Sequence, residues 1–148
     1  MNAHPYLRAY MAGISVPTPL LLVALTLFSI ARFVYHVPAP VERVIIFPMA
    51  IVPNLFGVWN VLYLASRSRL SLGIHGAILP FILAPLGFLL ARALGFLHVT
   101  SYGFIYFDVV KIHYAHLAMV FPAVLVVYYL VWKYLVGFFN RVSGIPES

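Results

Sequence analysis

The stretch at residues 73–96, GIHGAILPFILAPLGFLLARALGF, decides how the rest of the chain is read. It carries one charged side chain, Arg92, close to its end, and its apolar residues run on without polar alternation. About 20 helical residues cross a hydrocarbon core of roughly 30 Å, so this run is long enough to span a bilayer. Lipid offers no partner to an exposed backbone, and a membrane β-strand would alternate apolar with polar residues. A helix is therefore expected. Pro80 and Pro85 each delete one backbone hydrogen bond from it and are expected to kink it.

Three similar runs surround it, at about residues 14–35, 44–65 and 112–139. Short connections make consecutive helices antiparallel neighbours. The expected fold is thus an all-α integral membrane protein, one domain over residues 1–148, with four transmembrane helices in an up-down-up-down bundle. Pro48 and Pro53 in the second run and Pro122 in the fourth extend the kinking. Residues 1–13 read as a polar, aromatic lead-in, 66–69 as a short basic loop and 98–111 as a longer aromatic connection. The first run is too long for the apolar part of a cleavable leader and is expected to be retained. Tyr6, Tyr10, Tyr35, Tyr63, Tyr102, Tyr106, Trp132 and Tyr134 fall near the expected span edges, where amphipathic rings anchor.

Composition agrees. The 148 residues are 64% hydrophobic and 8% charged, with a mean hydropathy of +1.04. A soluble domain carries about a quarter charged residues, so most of this surface is expected to meet lipid. The net charge of +6 comes without any Lys/Arg run, and the cations at span ends read as headgroup anchors, not as a nucleic-acid surface. Having no cysteine, the chain is without thiol, iron–sulfur or cysteine–zinc chemistry. Three acidic residues leave little for carboxylate-pair catalysis, and no Gly-rich phosphate loop or GxSxG elbow is present. An enzyme is disfavoured. No ionisable group lies near the middle of a run, contrary to what an ion-coupled carrier needs. Arg67 and Arg69 make the middle connection the most basic, so both termini are expected to be cytoplasmic, with a prokaryotic inner membrane as the location.

Two groups of residues are candidates for a site. With four spans, the first and third connections share a membrane face, which collects His36, His98, His113, His116 and Asp108, along with Glu42. Imidazoles near a carboxylate ligate zinc, copper or iron, and paired imidazoles ligate haem. His113 and His116 are three apart, hence on one helix face. The same histidines would equally sit at an interface bonded to headgroups or water.

The second group is a stripe on the second run: Asn54, Gly57, Asn60 and Tyr63. An amide inside hydrocarbon must find a partner, so this stripe either glues helices together or lines a polar pathway. On the third run Ala84, Gly87 and Ala91 form a small-residue seam on which another helix can pack.

The leading expectation is a non-catalytic accessory or structural subunit packing against partner chains in a membrane complex. One alternative is a metal- or haem-binding redox membrane protein using the histidines of one face. The other is a small oligomeric channel or carrier for a neutral or lipid-like solute along the Asn54–Asn60 stripe. Partners are then the bilayer, other membrane subunits or further copies of the chain.

Overall fold

A computed structural model of the chain describes residues 4–37, 47–66, 69–106 and 110–145. Its helices are α1 (Pro5–Ile14), α2 (Pro17–Phe33), α3 (Phe47–Ala65) and α4 (Leu72–Ala93), then α5 (Tyr114–Leu130) and α6 (Gly137–Val142). A π-helical turn, Val131–Val136, joins α5 to α6. Three stretches, Pro5–Phe33, Leu72–Ala93 and Tyr114–Val142, are long and apolar enough to cross a membrane.

The protein is mostly helical but not all-α. Between α4 and α5 lies an antiparallel sheet in the order β1 (Leu97–Thr100), β2 (Gly103–Tyr106), β3 (Val110–His113). This corrects the all-α expectation, in which residues 98–111 are a longer aromatic connection between helices. The residues suit strands: Val99, Thr100, Phe104, Ile105 and Ile112 are β-branched or aromatic, and in β3 Val110 and Ile112 alternate with Lys111 and His113.

A second correction concerns the N-terminal lead-in, which is helical from Pro5 and continues through residues 15 and 16 into α2. Pro17 and Pro19 cannot donate to the preceding turn. Two hydroxyls also bond back into this turn: Ser15 Oγ donates to Met11 O at 2.8 Å and Thr18 Oγ1 to Ile14 O at 2.8 Å. The helix also runs on through Pro53, Pro80, Pro85 and Pro122.

The contacts divide the chain into two units. In the first, α1 lies against α3 and α6, and α2 against α3. Ala9 meets Asn60, and Gly13 meets Gly57, so α1 and α3 run antiparallel. A Cβ on Gly13 would stand 2.8 Å from Gly57 Cα, which is why a glycine faces a glycine here. Positive φ at Gly144 lets the chain leave α6 by a Schellman turn, with Ile145 N donating to Asn140 O at 2.9 Å. Ile145 then folds back onto Ala9 and Ala12, with Val61, Leu64 and Phe139 around them.

In the second unit, α4 and α5 pack together and the sheet connects their ends. Gly95, at φ 74, closes α4 with the same turn, Phe96 N donating to Ala91 O at 2.8 Å, and delivers the chain directly into β1. Phe104 packs edge-on against Phe88 of α4 and Tyr114 of α5, with ring centres 5.4 and 5.1 Å away. That apolar face of the sheet rests on the helix ends.

Candidate functional site

The amide stripe on α3 has definite partners. Asn60 is 1% exposed and Asn140, on α6, 3%. Asn60 Nδ2 donates to Asn140 Oδ1 at 2.7 Å and to Ala9 O at 2.8 Å, while Asn140 Nδ2 donates back to Asn60 Oδ1 at 3.2 Å. One reciprocal amide pair thus ties α1, α3 and α6 together. Further along α3, the Tyr10 hydroxyl donates to Asn54 Oδ1, and Asn54 Nδ2 donates to Ala50 O at 2.6 Å. Gly57 lies under the Tyr10 ring, and Tyr63 is buried. Gly57, Asn60 and Tyr63 are thus buried, while Asn54 is exposed and bonds to Tyr10 of α1. Near the start of α1, Arg8 Nη1 donates to Ser143 O at 3.0 Å.

The small-residue seam on α4 is placed differently. Ala84 and Gly87 are exposed, with nothing within 4 Å of where a Gly87 Cβ would be; Ala91 is buried. Close packing of α4 on its neighbour falls earlier, where Gly73 lies against the Tyr129 ring and Gly76 against the Trp132 indole. Trp132 is 0% exposed and stands edge-on to His75 with ring centres 6.1 Å apart. Its burial corrects the expectation of an interfacial anchor, as does that of Tyr63, because Gly76 leaves the indole a place inside. Tyr10 and Tyr63 likewise serve packing within the chain. Lys133, in the same π turn, points outward over the Tyr129 ring at 5.6 Å.

The histidines divide. His36 is exposed at φ 54 beyond the end of α2, in the first unit. His98, His113 and His116 belong to the second. Asp108 and Glu42 lie outside the described residues. Strand register pairs His98 with Ile105 and Ile105 with Lys111, and puts Thr100, Gly103 and His113 in the next row. These rows share one face, opposite to that of Phe104. The face is exposed at His98, Lys111 and His113, and a shallow depression of about 220 Å³ at the sheet is lined by Thr100, Tyr102, Gly103, Phe104, Ile105, Lys111, Ile112 and His113.

Gly103 makes that row possible, since a Cβ there would run into Ile112 O and stand 2.8 Å from His113 Cα. Thr100 Oγ1 donates to Gly103 O at 2.9 Å and Tyr114 Oη to Thr100 O at 3.1 Å, which pins the hairpin to the start of α5. His113 immediately precedes α5 and His116 lies in its first turn, with ring centres 5.6 Å apart. His98 is two strands across and two residues out of line, roughly 12 Å from His113 at ordinary strand spacings. Among the described residues, no three His, Asp or Glu side chains gather closely enough to hold one metal ion.

Sequence reasoning passes over Asn140, His75, Arg8 and Lys111 as site residues. A signal exists for the first, an amide just past an apolar run that already has unexplained amides elsewhere. His75 offers one too, since Gly73 and Gly76 flank it with small residues. No family model, no curated protein and no solved structure matches this chain.

Proposed function

We propose that this protein is a non-catalytic accessory or structural subunit of a membrane complex, one membrane domain crossing the bilayer four times in an up-down-up-down bundle. The observation that carries the proposal is the outer surface of α5: one side packs on α4, yet none of its 17 residues is fully buried by the described residues. In α2 only Pro17 is buried. Lipid covers such faces as well as a partner does, so apolar exposure alone does not choose between them. The choice rests on where the chain spends its polar groups. Its buried amides bond to one another and to Ala9 O, which suits a scaffold better than a solute pathway. On α4, the exposed Ala84 and Gly87 allow the close backbone approach by which membrane helices associate.

Four crossings are supported by the meeting of α1 and α6. Arg8, near the start of the first long helix, bonds to Ser143 after the last, as an even number of passages would bring about. The three long helices and the 19-residue α3 supply four. By the charge of the 66–69 connection we place both termini in the cytoplasm and the chain in a prokaryotic inner membrane.

Photo-crosslinking groups placed at Gly87 and Val120, with Ala12 as the inward control, test the subunit reading in cells. The expected outcome is one protein partner joined at the outward positions and recovered at fixed stoichiometry by native mass spectrometry. Adducts with lipid alone, or with further copies of this chain alone, would refute it.

A further inference from the structure

We propose that His113 and His116 form a two-imidazole chelate for a divalent transition metal of the zinc, cobalt or nickel kind, beside the polar face of the sheet. The inference does not depend on the subunit reading. A metal about 2.05 Å from each ligating nitrogen lies about 3.2 Å from each ring centre, so two imidazoles at a tetrahedral angle have centres about 5.2 Å apart. The observed separation is 5.6 Å, with ring planes at 64°. A small side-chain rotation closes the difference.

The backbone explains why the rings meet. His113 is extended, at φ −75 and ψ 148, and occupies the N-cap of α5, with His116 at the third helical position. Those two positions bring side chains together across the first turn, the geometry of a capping box. Yet the His113 side chain makes no capping bond. Both residues are exposed, so the rest of the described chain leaves room for a metal and its remaining ligands.

Two features oppose a bare cation here. Lys111 projects from the same sheet face two residues before His113, and the amides at the start of α5 carry partial positive charge. Both favour an anion on the open coordination positions, so the bound species is a metal carrying water, hydroxide or a carboxylate. His98, two strands away, takes no part.

The test is zinc titration of the full-length chain in detergent, with any tag removed, followed by calorimetry. One Zn²⁺ per chain is expected, and X-ray absorption should count two imidazole nitrogens. His113→Ala and His116→Ala should each weaken binding roughly tenfold or more, the scale at which metal-site residues act. His36→Ala and His98→Ala should leave it unchanged.

Lys111→Gln should tighten binding roughly twofold, from removal of a screened charge about 7 Å away. His116→Cys, which supplies a thiolate ligand, should restore what His116→Ala loses and so separates ligation from folding. Zinc binding that survives His113→Ala/His116→Ala, or that falls equally with His98→Ala, would overturn the proposal. So would the absence of any stoichiometric binding by the unaltered chain.

Discussion

Replacing Asn140 with leucine, close to it in shape, removes one half of the buried amide pair and leaves the other half in place. Two interhelical hydrogen bonds disappear, those at 2.7 and 3.2 Å between Asn60 and Asn140. At about 0.6 kcal/mol each inside a membrane protein, they account for roughly 1.2 kcal/mol. Asn60 Oδ1, in a side chain 1% exposed, is then left without its donor, which adds about 1 kcal/mol at the low end of the range for a buried orphan. The total, about 2 kcal/mol, is a change of roughly 30-fold in the folding equilibrium.

The assay is reversible unfolding in bicelles by added SDS, read by tryptophan fluorescence. Asn60→Leu/Asn140→Leu removes the orphan together with its partner, so it should cost less than the two single substitutions summed. A cost below about 0.5 kcal/mol for Asn140→Leu, or strict additivity in the double variant, would refute the reasoning.

Three glycine substitutions discriminate between close and open packing, and a fourth change tests a hydrogen bond. Gly76→Ala drives a methyl group into the Trp132 indole and should cost about 1–3 kcal/mol, whereas Gly87→Ala meets nothing within 4 Å and should be neutral or slightly stabilising; thermal unfolding in detergent compares them. Gly103→Ala presses on the carbonyl of Ile112, which cannot swing aside, so amide exchange should quicken across β2 and β3 while α4 and α5 stay protected. Arg8→Gln weakens the bond to Ser143 O, costs about 1 kcal/mol, and should make the segment after Val142 more sensitive to protease.

The long helices are legible in the sequence because each is an unbroken apolar run, and lipid leaves such a run one backbone form. Their ends are less so. Ala9, Ala12 and Gly13 look like a lead-in because they are small and follow polar residues, yet smallness is what lets α1 approach α3. The sheet hides in a connection whose strands are only four residues each, too short for alternation to stand out from aromatic loop.

Within the site, the amide stripe can be read from spacing, since buried amides demand partners. Its partner Asn140 cannot, because nothing local to residue 60 points to a position 80 residues later. Trp132 misleads for a related reason. An indole near a span end has the same composition signal whether it anchors at the interface or fills the space beside a glycine.

That same distance of 80 positions between Asn60 and Asn140 sets a delay in the making of the protein. Ribosomes add about 5–20 residues per second, so Asn60 is synthesised roughly 4–16 s before its partner. Through that interval α1 and α3 can already pair, with Asn60 bonded to Ala9 O and its carbonyl still unclaimed. Until α6 arrives, Asn60 Oδ1 waits for the donor that Asn140 supplies, so this contact is among the last of the first unit to close.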